Sequence, residues 1–267
     1  MLLSRARLPY PTAGFTLVEL SIVLAILGLL VGSIVAAQSI IRSSELRNIT
    51  AEYQRYDRAI DTFRDKYLGL PGDLSNATSF WSGEANGDGN GQIMGSAPTT
   101  AATNETAHFW TQLVAAGLAE GSYTPSSWAA LSNGTTNPRS KLGSAGWSIR
   151  YVGPVGTDDT VIGTSGAATQ IMYEGTYGNA FFLMSGGSLA SPSGGVLKTS
   201  EAYNIDSKID DGAPSTGSVV SLESQGSSTA GTGCGNTAKS TSSQASAQYD
   251  FANDLKTACS LVFKSGY

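Results

Sequence analysis

The sequence predicts an α+β protein: one long amino-terminal helix, membrane-spanning in its first half and amphipathic in its second, packed on a small antiparallel-sheet head. Three observations predict it. Phe15 to Ala37 is an almost wholly apolar run of about 23 residues whose single charge is Glu19, and as a helix it reaches about 35 Å, enough to cross a bilayer core. Beyond it Ile49, Tyr53, Tyr56, Ile60, Phe63 and Tyr67 recur at helical spacing, which puts an apolar stripe on one helix face that the following domain must cover. Later, Gly146–Val152, Gln170–Tyr173 and Asn179–Met184 are apolar and aromatic segments that read as antiparallel strands.

Taken in order, the chain begins with a leader, Met1 to Gly14, that holds Arg5 and Arg7 and no acid, so the amino end stays cytoplasmic and everything after Ala37 faces outward. The helix follows over residues 15–68. A carboxylate near the start of an apolar span is unfavourable in lipid, so Glu19 needs a partner from a neighbouring chain. Arg42, Glu45, Arg47, Glu52, Arg55 and the charges after them nearly cancel, and most of them read as a solvated helix face. Leu68-Gly69-Leu70-Pro71-Gly72 stops the helix. Residues 69–267 form the head, read as one domain.

The junction Ala13-Gly14-Phe15-Thr16-Leu17-Val18-Glu19 inverts the order of an ordinary secretory signal, because the apolar region comes after the cut. It resembles the type IV prepilin signal of pilins and type II secretion pseudopilins. The resemblance implies cleavage after Gly14 by a prepilin peptidase, N-methylation of Phe15, and contact between Glu19 and the amino terminus of an adjacent subunit. It also implies a pilin-like fold, and as partners other pilin or pseudopilin subunits and an inner-membrane assembly platform. The protein would sit in a bacterial inner membrane as a single-pass chain with a periplasmic head, and reach a pilus or the cell surface after assembly. Gly28 and Gly32, with Ser21, Ala25 and Ala36, give the helix a small-residue face for packing in a filament core; a lipid-facing helix is the alternative. A pilin or minor pilin is the first reading, a type II secretion pseudopilin the second, and a surface-displayed adhesin a third from another class.

From Gly69 onward acidic residues outnumber basic ones about two to one, the opposite of a nucleic-acid surface. The two cysteines, Cys234 and Cys259, lie in the oxidising compartment and are expected to bridge, which stabilises by roughly 3 kcal/mol; two buried thiols are the alternative. Ser224 to Ser246 is a Ser, Thr and Gly-rich loop that Cys234 would pin to the tail. Asn86-Gly87-Asp88-Gly89-Asn90-Gly91 spaces oxygen-bearing residues as the start of an EF-hand does, so Asn86, Asp88 and Asn90 are candidate calcium ligands. It departs from that pattern at Asn86 and at Ala97, where a bidentate Glu would stand, and a plain glycine turn is the other reading.

Glu105 to Ala116 reads as an amphipathic helix, capped by Thr103 or Asn104, with His108 on its polar side. Glu201 to Gly212 reads as a short helix running into a solvated acidic turn at Asp206, Asp210 and Asp211, with a second cation site as the alternative. This segment, the Leu70-Pro71-Gly72-Asp73 turn and the Asn/Asp/Gly loop together resemble a poorly characterised group of bacterial prepilin-like proteins. With one histidine, no nucleophile elbow and no phosphate-binding loop, the chain assembles none of the common hydrolytic or nucleotide sites. A structural role is expected.

Overall fold

The computed structural model describes residues 14–94, 105–125, 132–143, 145–153, 172–173, 175–188, 191–192, 195–223, 233–236, 246–254 and 257–267. The leader before Gly14, the caps at Thr103 and Asn104, Ala97, Gln170 and Ile171, and most of Ser224–Ser246 lie outside the described residues. Three α-helices are described, α1 (Leu17–Tyr67), α2 (Glu105–Ala115) and α3 (Thr199–Ile209). Six strands accompany them: β1 (Gly146–Val152), β2 (Gly178–Met184), β3 (Gly187–Ser188), β4 (Ser191–Pro192), β5 (Val219–Glu223) and β6 (Cys259–Lys264). Contacts divide the chain into two units, one ending at Ser44 and one running from Glu45 to Tyr267.

In the first unit α1 is apolar nearly all round, and among the described residues none up to Ser44 is buried. Its most apolar 18-residue window has a mean hydropathy of 2.7 and no buried residue. A helix like this needs a membrane or other helices around it.

In the second unit the antiparallel sheet has the order β1-β2-β6-β5, with Phe182 opposite both Ser148 and Val262, and Val220 opposite Val262. Alternation along β2 divides its residues between two buried faces: Phe181 and Leu183 meet the second half of α1, while Ala180, Phe182 and Met184 join Val152, Val220, Leu222 and Val262 on the other. The expected stripe is the part of α1 that packs. Ile49, Tyr56, Ile60 and Phe63 are buried, with Tyr53 and Tyr67 half-buried beside them. Phe181 is the centre of an aromatic cluster whose ring centroids stand 5.9 Å from Tyr53, 6.1 Å from Phe109 and 6.4 Å from both Trp110 and Trp147.

Glu52 corrects the reading of the charge run. Its carboxylate is buried within the stripe and accepts hydrogen bonds from Ser140 Oγ at 2.6 Å, Trp147 Nε1 at 2.7 Å and the Lys141 backbone N–H at 3.0 Å. Three donors compensate the desolvation of the charge and fix how the helix meets β1.

The strand expectations hold for β1 and β2. Met172 differs: it makes a single bridge to Leu222 and belongs to no strand of the sheet. β5 and β6 are strands the sequence reading did not identify. Cys234 and Cys259 form the expected disulfide, which fastens Cys234 to the first residue of β6, an interior strand of the sheet. At the far end of α1, Leu68 is exposed and left-handed, with φ 59°, a conformation that a non-glycine residue adopts at some expense. Tyr267 closes back on the helix, its hydroxyl donating to Asp61 Oδ1 at 2.6 Å.

Glu52→Ala removes the acceptor of two buried donors and one half-buried donor and leaves a cavity, and is expected to lower stability by about 2–4 kcal/mol in a denaturant titration.

Candidate functional site

Two regions gather the residues singled out in the sequence. The first is the start of α1. Thr16 precedes the first helical residue, and its hydroxyl accepts the Glu19 N–H at 3.2 Å while Glu19 Oε2 accepts the Thr16 N–H at 2.9 Å and its hydroxyl at 2.8 Å. This is a reciprocal capping box, and it satisfies N–H groups that a helix start otherwise leaves open. The signal Thr-x-x-Glu stands in the sequence and was read only for its charge. Glu19 is therefore held on its own chain through one oxygen. Phe15 is fully exposed just before the cap, and at Gly28 and Gly32 nothing lies within 4 Å of where a side chain would begin. That face of the helix is open for close approach by another.

The second region is the glycine loop. Its three expected ligands each take part in local hydrogen bonds. Asn86 Oδ1 accepts the Thr78 N–H at 2.9 Å, Asn90 Oδ1 accepts the Gln92 N–H at 2.7 Å, and Asp88 Oδ2 accepts the Asn90 amide at 2.9 Å. The loop instead wraps the Leu70-Pro71-Gly72-Asp73 turn. Asp73 Oδ1 takes the N–H groups of Gly89 at 2.7 Å and Asn90 at 3.2 Å, and its Oδ2 takes that of Gly91 at 2.8 Å. Gly87 lies so close to the Asp73 backbone, and Gly72 (φ 83°) so close to the Glu105 carbonyl, that a side chain at either would clash.

α2 meets this turn with its amino end. Glu105 accepts the Asp88 N–H at 3.0 Å and the Met94 N–H at 2.8 Å, and Gln112 accepts the Gly72 N–H at 2.7 Å. The helix is buried almost all round, which corrects the amphipathic reading. His108, expected on a polar face, is buried with Nδ1 3.0 Å from Glu84 Oε2.

Asp73, Asp88 and Glu105 thus stand with carboxylate oxygens within 4.8 Å of one another. They are distant in sequence, and the turn and loop motifs flagged only the first two of their segments. Burial pushes Glu105 up from its ordinary 4.5 to about 7; the two N–H bonds pull it down in part, and the charges of Asp73 and Asp88 push it further up. Asp73 is raised as well, again chiefly by burial. A carboxyl raised on folding holds its proton in the folded state and releases it in the unfolded one, so its contribution is greatest at low pH and is lost as pH climbs through the window from 4.5 to about 7. The melting temperature of the full chain in detergent, without divalent cations, is expected to fall across that window, and Glu105→Gln is expected to flatten the fall.

Residues 11–35 match a family model described as the prokaryotic N-terminal methylation motif. No curated protein and no solved structure matches the chain. The matched stretch covers the Gly14-Phe15 junction, the capping box of α1 and its exposed apolar turns as far as Val35. The chain therefore carries, over residues 11–35, the N-terminal methylation signal of type IV pilins and pseudopilins.

Proposed function

We infer that the protein is a pilin-like structural subunit that self-assembles through its amino-terminal helix into a type IV pilus-like filament. The observation that carries this reading is a methylation motif set on a helix whose apolar half is left unburied by the described residues. Before assembly that half anchors the protein in the membrane; in a filament, neighbouring helices replace the lipid. Prepilin peptidase cuts after Gly14 on the cytoplasmic face, Phe15 becomes the methylated terminus, and the head faces outward. Gly28 and Gly32 let neighbouring helices close together. Glu19 gives one oxygen to its own cap, and its other oxygen is offered to the terminal ammonium of the next subunit. A pseudopilin of a type II secretion system shares every one of these steps and differs in the machine it serves.

Intact-mass analysis of the membrane protein is expected to show a chain that begins at Phe15 and carries one added methyl group. A mature chain with any other start refutes the reading. Glu19→Ala and Glu19→Gln separate charge from capping, because Gln preserves a capping box while removing the charge. Both variants are expected to insert into the membrane and to be lost from filaments at least tenfold relative to the parent. Normal incorporation of Glu19→Gln would leave Glu19 as a helix cap alone.

Calcium at the glycine loop belongs to the same proposal, with Asp73, Asp88 and Glu105 as ligands in place of Asn86 and Asn90, whose oxygens are turned to the backbone. The three clustered carboxylates support it. Chelator is expected to lower the melting temperature of the parent and leave that of Asp88→Ala unmoved, since an ion that binds only the folded state raises its stability.

A further inference from the structure

The end of α3 and the turn after it hold a second carboxylate group, Asp206, Asp210 and Asp211, with oxygens within 4.8 Å of one another. This group differs from the first in one respect. Asp73 and Glu105 have backbone N–H groups on both of their oxygens, whereas Asp206 does not. Asp206 is fully buried, and its Oδ2 accepts the Tyr249 hydroxyl at 2.8 Å. Its Oδ1 is buried with no hydrogen-bond partner; the Gly212 N–H eases it electrostatically without satisfying it. This corrects the solvated reading for Asp206 alone; Asp210 is half-buried and Asp211 exposed, as a solvated turn would have them.

A wholly buried carboxylate with one unsatisfied oxygen is costly by several kcal/mol unless a proton or a cation completes it. Two further carboxylates beside it make the proton the poorer answer for the group as a whole, because a proton neutralises one charge of three. We propose that Asp206, Asp210 and Asp211 bind a hard divalent cation, calcium by preference, that locks the end of α3 to the start of β5. The second carboxylate already reaches that strand: Asp210 Oδ2 accepts the backbone N–H groups of Ser218 and Val219. Asp211 braces the turn between them, accepting from Ala213 N–H at 2.8 Å and Thr216 Oγ1 at 2.6 Å. Oxygen ligands, several of them charged, on a short irregular segment suit calcium better than magnesium, which demands a tighter octahedron and keeps its water. Burial, with the charges of Asp211 and Asp210 adding to it, pushes Asp206 up to about 7, so near neutral pH the ion and the proton compete for one place. The proposal stands apart from the filament reading and from the glycine loop.

The test uses the full chain in detergent, carrying Asp88→Asn to silence the other carboxylate group. Terbium is the probe, because a tyrosine bonded to a ligand, as Tyr249 is to Asp206, transfers excitation to it. Sensitised emission that calcium displaces is expected, with calcium affinity falling about tenfold or more in Asp210→Asn with Asp211→Asn. Asp206→Asn is expected to abolish the calcium-dependent rise in melting temperature. Tyr249→Phe is expected to dim the emission while calorimetry still records calcium binding, which places the ion beside Tyr249 even if the double variant fails to fold. Emission and calcium binding unchanged by all of these substitutions, or no calcium-dependent rise in the parent's melting temperature, overturns the proposal and leaves Asp206 as a protonated acid.

Discussion

The head is held to its helix by a carboxylate. Glu52 lies in the middle of the apolar stripe of α1, and the hydroxyl, indole and backbone donors that converge on it come from the segment around Ser140 and from β1. Apolar contact alone lets a helix slide or rotate on a sheet with little penalty, since burial is non-directional. A buried charge with three directed donors does not, because any displacement strands either the charge or the donors. The aromatic cluster around Phe181 supplies area; Glu52 supplies register.

The same device recurs through the head. Asp73 is held by the N–H groups of the glycine loop, and Glu105 by those of Asp88 and Met94. Among the described residues the hydrogen bonds to these carboxylates and to Glu52 come from backbone and neutral groups, not from a lysine or arginine side chain. Such anions are placed by chain geometry, so the loops that carry the donors are fixed as tightly as secondary structure. That is how a chain with 32 glycines keeps an ordered turn against α2. Asp206 is the exception, with a single hydroxyl in contact and one oxygen left over.

What was legible in the sequence was whatever is encoded locally. The apolar run, the stripe from Ile49 to Tyr67 and the stop after it depend on neighbours within a few turns, and they appear in the structure with bounds shifted by a residue or two. β1 and β2 are runs of seven residues, long enough to stand out. β5 and β6 are shorter, at five and six residues, and each becomes a strand by pairing with partners far away in the chain. Glu52 was hidden by its charged neighbours, for periodicity marks apolar positions and is blind to a polar group that finds donors elsewhere. The glycine loop was recognised for its oxygens, yet its main work is done by its N–H groups around Asp73. The start of α1 was read for the charge of Glu19, and the cap with Thr16 shows that one residue serves two purposes there.

β6 lies between β2 and β5 although it comes last of the sheet's strands in the sequence. Until it has been made, β5 has no neighbouring strand in the sheet and β2 has one bare edge, so no earlier stretch of the chain can finish the sheet by itself. Cys259 stands at the first position of β6, and the bond to Cys234 therefore also waits for it. Completion of the head is in this way a check on completeness of synthesis: a prematurely ended chain keeps its apolar helix but presents an open, unbridged sheet. Such a chain is open to proteolysis where the finished one is closed.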